Sequence, residues 1–240
     1  MINDKVLQNI QSYALKIDWD DAFGGKSKGN NHLERVVLIA KYLSEKEGAD
    51  INIVQAGAFL HDIALPSGDD YNYENNKKIA VKELSQFNLD PQEADSIAEC
   101  VASHEGTESP KTIEAQIVHD ADVLDKSGIL GIIRHTWKLV NLGHISSETF
   151  SKNQADKILD HLDWRASQLK TKSAKDLYKK VSNKIDKAQI FNIIQEIIKM
   201  VEQGLITEQI AQEISESLDK AQKDSLKSQI ELSFIDKIMV

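Results

Sequence analysis

The chain has 240 residues, 41% hydrophobic and 28% charged, enough to bury one large domain or a domain with an appendage. A formal net charge of −9 works against generic binding to nucleic acid or anionic membrane, and three prolines with eleven glycines argue against an all-β fold rich in tight turns. A single cysteine, Cys100, fits a reducing compartment, no apolar run approaches a membrane span, and Met1-Ile2-Asn3-Asp4-Lys5 has no leader character, so a cytoplasmic location is expected.

Hydrophobic spacing predicts helix nearly everywhere, hence an all-α fold. Phe23-Gly24-Gly25-Lys26-Ser27-Lys28-Gly29-Asn30 is expected to be a flexible, locally basic loop. After His32, Val36, Val37, Ala40 and Leu43 recur at helical steps. Ile53 to Leu60 is almost wholly apolar and predicts a central buried helix. It ends at His61-Asp62 and is followed by the turn-forming Pro66-Ser67-Gly68-Asp69-Asp70. Each of these two loops either shapes a pocket or is a plain connector.

Asp90-Pro91-Gln92-Glu93 is a helix start: a cap, a proline at the first helical position, and an acid three residues on. That helix runs through Ile97 and Val101 toward His104. Ile113 to Leu124 and Ile129 to Leu142 form two more, ended by Ser127-Gly128 and Gly143. Ser146 or Ser147 is expected to cap the next helix, and Thr171 the one after it.

From Ala188 onward the texture changes to apolar stripes without histidine: Ile190 to Val201, Ile206 to Leu218, and Leu226 to Ile238. The expected organisation is a helical core over 1–187 and a helical extension over 188–240. The extension either docks on the core or joins two copies of the chain as a homodimer.

An imidazole and a carboxylate side by side at the end of an apolar helix are costly to bury without a strong partner, and both are good ligands for a divalent ion. His32 upstream and Asp122 downstream complete the order His, His-Asp, Asp. Two neutral imidazoles and two carboxylates would balance a divalent charge and leave two positions of an octahedron open.

Four segments carry a resemblance to the HD-domain metal-dependent phosphohydrolases: His32-Leu33-Glu34-Arg35-Val36, Ala58-Phe59-Leu60-His61-Asp62-Ile63, Ser103-His104, and Asp120-Ala121-Asp122-Val123-Leu124-Asp125. The chain is most similar to small microbial HD proteins of mostly unassigned substrate. The resemblance covers about residues 25 to 195 and implies an HD-domain helical bundle with His32, His61, Asp62 and Asp122 as metal ligands. Asp122 is preferred to Asp120 by its Ala-Asp-x-Leu context. The resemblance gives His104 a second ion, a phosphate contact or a general-acid role. Arg35, one turn after His32, orients a ligand, contacts phosphate, or pairs with an acid. Asp125 or Asp120 is the expected proton acceptor.

Two departures bear on function. Two-metal relatives carry a histidine where this chain has Asn75-Asn76-Lys77-Lys78-Ile79-Ala80, which favours one ion over two. Val123 stands where the subgroup usually has arginine, with Lys126 as a substitute. The expected function is hydrolysis of a phosphate ester, mono- or diester, in a nucleotide or other small phosphorylated metabolite. Manganese, magnesium, iron, cobalt, nickel and zinc all suit the ligand set. The alternatives are a regulatory module that binds metal and nucleotide with little turnover, and an iron-dependent oxygenase. No polymeric nucleic acid and no membrane partner is expected.

Overall fold

The computed structural model describes residues 2–68, 70–106, 108–181 and 187–215. Among these residues there are eleven α-helices, two 3₁₀ turns and no strand, so the all-α expectation holds. None of the helices is long and apolar enough to cross a membrane. The chain divides into two compact units, residues 1–122 with 170–174, and residues 123–169 with 175–240.

The first unit is built around α3 (Ile51–Leu60), whose residues from Ile53 to Leu60 are nearly all buried. Packed on α3 are α1 (Asp4–Asp20), α2 (His32–Glu47) and α5 (Pro91–Ala102), and α4 (Tyr73–Leu84) packs on α5. Asp50 starts α3 by accepting the backbone N–H groups of Asn52 and Ile53. Asp90 and Glu93 form the reciprocal capping box that their spacing predicts. α1 and α4 carry weaker sequence signals, but both have side-chain caps, Asn3 and Asn72.

One close approach sets the position of α3. A Cβ on Gly57 would lie 2.6 Å from Cys100 Cβ and 3.3 Å from Val118 Cγ2. The α3 backbone therefore lies directly against α5 and α6 (Ile113–Asp125), an approach open only to glycine. Burial in this contact pushes the Cys100 thiol far up in pKa and keeps it neutral.

The segment around 23–30 differs from its expectation as a flexible loop. It opens with a 3₁₀ turn, Ala22–Gly25, in which Phe23 and Gly24 take left-handed backbone angles. Ser27 Oγ, buried, then donates to Asp18 Oδ1 at 2.8 Å, and Arg35 Nη1 donates to the Asn30 carbonyl at 2.9 Å. Glycines that permit the turn thus coexist with buried hydrogen bonds that hold it.

In the second unit α7 (Gly128–Asn141) packs against α8 (Lys152–Ser167), α10 (Lys187–Glu202) and α11 (Thr207–Ser215). The cap of α8 is Ser151, in a capping box with Gln154, rather than Ser146 or Ser147. Ser146 instead closes a turn with Thr149 and Phe150, so α8 starts later. Thr171 Oγ1 accepts the Ala174 N–H at the start of α9 (Lys172–Val181), as its position predicts. The stripe Ile190, Ile193, Ile194, Ile197, Ile198 and Val201 is buried on α10, and Ile210 and Ile214 are buried on α11. The third predicted stripe, Leu226 to Ile238, lies outside the described residues, as does Leu218.

Candidate metal centre

The site is assembled from helix ends. His32 is the first residue of α2, reached through Asn31 in the left-handed region (φ 48°). His61 is the C-cap of α3, the first residue of the turn that follows Leu60, and Asp62 is the next residue of that turn. Asp122 lies in α6, fully buried. His104 sits just beyond the end of α5 and is also fully buried.

Four side chains converge. His32 Nε2 is 3.2 Å from His61 Nε2, 3.2 Å from Asp122 Oδ1 and 3.4 Å from Asp62 Oδ2. His61 Nε2 is 3.5 Å from Asp122 Oδ1 and 3.5 Å from Asp62 Oδ2. His32, His61 and Asp122 form a buried set whose donor atoms all lie within 4.8 Å of one another. Ligands held about 2.0–2.2 Å from a single ion stand roughly 3.0–3.5 Å apart, so the spacing suits a shared cation. Asp62, with its side chain 14% exposed, is the most open member of the group.

Hydrogen bonding at the far side of the rings orients the lone pairs. His61 Nδ1–H donates to the Ala58 carbonyl at 2.7 Å. A carbonyl only accepts, so the proton stays on Nδ1 and the Nε2 lone pair faces the cluster. His104 repeats the arrangement, with Nδ1–H donating to the Val101 carbonyl at 2.7 Å. Its Nε2 has no hydrogen-bond partner among the described residues and lies 3.6 Å from Asp62 Oδ1. Two carboxylates and lone-pair nitrogens gathered in a mostly buried space are mutually unfavourable without a positive charge, which a divalent ion would provide.

The other expected site residues are held in specific ways. Asp120 Oδ1 accepts from Lys170 N, and its Oδ2 from Thr171 N and Thr171 Oγ1, all at 2.7–2.8 Å. Burial pushes the Asp120 carboxyl up in pKa, and these hydrogen bonds oppose the shift. Asp125, within the second unit, has Oδ2 3.3 Å from Arg134 Nε and is buried. Arg35 is buried one turn beyond His32, with Nη1 spent on the Asn30 carbonyl. Asn76, in the stretch where two-metal relatives carry histidine, is fully buried and donates Nδ2–H to the Asp70 carbonyl at 2.6 Å.

One connection had only a faint signal in the sequence. His119 Nδ1–H donates to the His104 carbonyl at 2.8 Å, tying the loop after α5 to α6. The doublet His119-Asp120 is visible in the chain, but it lacks the apolar lead that marks His61-Asp62.

Residues 30–127 match the HD domain family model. Over that stretch the chain is similar to HD domains. HD domains bind divalent metals, and the His32–His61–Asp122 cluster is consistent with that. Among particular relatives, YpgQ of Bacillus subtilis is 28% identical over 140 residues, 54% of this chain and 64% of YpgQ. Ribonuclease Y of Treponema pallidum is 31% identical over 93 residues, 39% of this chain and 18% of that enzyme. The chain thus matches less than two thirds of the length of either relative. In fold, the crystal structure of YpgQ superimposes with a TM-score of 0.56 at 21% identity, covering 84% of this chain and 96% of YpgQ. YpgQ has also been crystallised in complex with ADP. An HD-superfamily hydrolase of Bacillus thuringiensis gives a TM-score of 0.53 at 21% identity, covering 83% of this chain and 94% of that one.

Proposed function

We propose that this protein hydrolyses a phosphate ester of a nucleotide or other small phosphorylated metabolite, using one divalent ion held by His32, His61, Asp62 and Asp122. The observation that carries the reading is the convergence of four donor atoms at 3.2–3.5 Å, with Asp62 as the open side. When bound, a divalent ion polarises a phosphoryl oxygen and lowers the pKa of water. The chain's own residues do the rest. The Nδ1–H bonds of His61 and His104 fix both rings with their Nε2 lone pairs inward. His104, facing Asp62, takes up a proton at Nε2 and in that form donates a hydrogen bond to a phosphate oxygen. Asp120 holds the Lys170-Thr171 segment, and Arg35 holds the loop before His32. Asp125 stays paired with Arg134. The nucleotide preference is supported by the ADP complex of the similarly folded YpgQ. A single ion is supported by Asn76, which brings no imidazole and spends its amide on the Asp70 carbonyl.

The test is metal content per chain for the wild type and His61→Ala, followed by a phosphate-release screen with the retained metal. About one ion in the wild type, little in the variant, and loss of activity in Asp62→Ala with helical content intact is the expected set of results. Full activity in Asp62→Ala sinks the mechanism.

A second reading, a regulatory module that binds nucleotide with little turnover, is favoured by Val123. It is a buried apolar residue where related HD proteins carry arginine, so any function of that cation is missing at this position. Tight nucleotide binding without product over hours would select it.

A further inference from the structure

The doublet His119-Asp120 lies within one turn of Asp122 on α6, and its two residues are engaged differently. Asp120 is spent on the backbone of Lys170 and Thr171. His119, three residues before Asp122 and so on the same side of the helix, donates its Nδ1–H to the His104 carbonyl at 2.8 Å. One helix therefore supplies a residue of the cluster and holds the backbone of another.

His104 needs such a hold. α5 ends at Ala102, and Ser103 closes it with its N–H and its hydroxyl both on the Glu99 carbonyl, at 3.1 and 2.8 Å. His104 thus stands beyond the helix, where the helical ladder no longer sets the backbone. The residue is fully buried, so its carbonyl has to find a donor inside the protein, and the His119 ring provides one. Two residues on, Gly106 takes φ +96°, and a Cβ there would collide with the Tyr71 carbonyl oxygen. The chain is constrained both at His104 and just after it.

The place of the His104 side chain follows from that of its backbone. The ring is bonded through Nδ1–H to the Val101 carbonyl at 2.7 Å, and Nε2 stands 3.6 Å from Asp62 Oδ1. A rigid ring with one nitrogen already bonded has little freedom left, so a shift of the backbone at 104 passes directly to Nε2.

We propose that His119 is the positioning residue of His104, fixing the backbone from which the His104 ring reaches Asp62 and a phosphate oxygen. The proposal rests on the phosphohydrolase reading above, in which His104 donates to that oxygen. His119 itself touches neither the ion nor the substrate and acts only through His104.

The experiment compares the whole chain as wild type, His119→Leu and His119→Asn. Asparagine keeps an N–H donor near the place of Nδ1, and leucine has none. Phosphate release with the metal the protein retains gives kcat and KM. Proton NMR of the zinc-loaded proteins follows the His104 Nδ1–H, assigned by its loss in His104→Gln. In His119→Leu kcat is expected to fall by about tenfold to a hundredfold, with KM and metal content near those of the wild type. The His104 N–H signal should shift and exchange faster, and His119→Asn should bring both readouts back. Where the wild type is active, an unchanged kcat or an unchanged N–H signal in His119→Leu overturns the proposal. Failure of His119→Asn to rescue overturns it as well. If the wild type releases no phosphate, the hydrolase reading falls and the N–H signal decides alone. A signal moved in His119→Leu and restored in His119→Asn supports positioning by His119, and an unmoved one overturns it.

Discussion

His61 and His104 use the same device at the ends of two packed helices: each donates its Nδ1–H to the carbonyl three residues earlier, at 2.7 Å in both cases. Both rings are thereby fixed in one tautomer and turned so that Nε2 leads into the cluster. Their ring centroids are 5.1 Å apart, edge to face. Helices α3 and α5 present the rings together because Gly57 lets them approach over Cys100.

Removing His61 should abolish metal retention. Any ion bound only by the folded state stabilises by about 2.7 kcal/mol at a hundredfold excess over Kd. Adding metal to the chelated wild type should therefore raise Tm by several degrees, whereas His61→Ala should show no such rise. A rise of equal size in the variant would remove His61 from the ligand set.

His104→Gln keeps a polar side chain without the proton-carrying ring. Turnover is expected to fall by about 10²–10⁴-fold, the usual contribution of a positioned acid or base, with metal content near that of the wild type. Loss of the metal instead of the rate would make His104 a ligand.

Gly57→Ala adds a methyl group where Cys100 Cβ already stands 2.6 Å away. Overpacking of this kind costs about 1–3 kcal/mol, and it should show as a lower denaturant midpoint. The companion Cys100→Gly removes the opposing Cβ. In a double-mutant cycle it should recover part of the loss, and strict additivity would deny the contact.

His135 offers a pH test away from the metal centre. It stacks on His161 with ring centroids 4.5 Å apart. Burial first, then His161, Arg165, Lys138 and Lys126, bring its pKa down to about 3. The folded state therefore prefers the neutral ring. Its contribution is present above the unfolded pKa of about 6.5 and is lost as pH falls toward 3. Between pH 7 and pH 5 the chelated wild type should lose about 2 kcal/mol more than His135→Phe in urea titrations. Parallel curves for the two proteins would contradict a half-buried imidazole held neutral in the folded state.

Ile197, fully buried on α10, tests the packing of the second unit. Ile197→Ala should cost about 2–5 kcal/mol and lower Tm measurably. A change within error would mean that the α10 stripe is not a core face.

The helical class, the buried central helix ending at His61-Asp62, the Asp90 capping box and the Thr171 cap were all legible in the chain. Each of these signals lies within a few residues, where periodicity and capping hydrogen bonds operate. The order His32, His61-Asp62, Asp122 likewise names four ligand-type residues, but not the side chains that hold them. The remaining contacts form only when distant segments pack. The partners of Asp120 lie fifty residues away at Lys170 and Thr171, and His119 reaches back to the His104 carbonyl. Arg134 takes Asp125, and buried bonds from Ser27 and Arg35 order a loop whose glycines read as flexible. Gly57 looks like one more small residue in an apolar run until Cys100 is set against it. Contacts between distant segments leave no local period in a chain. They depend on which helix ends are brought within hydrogen-bonding distance, and that is settled only when the helices pack.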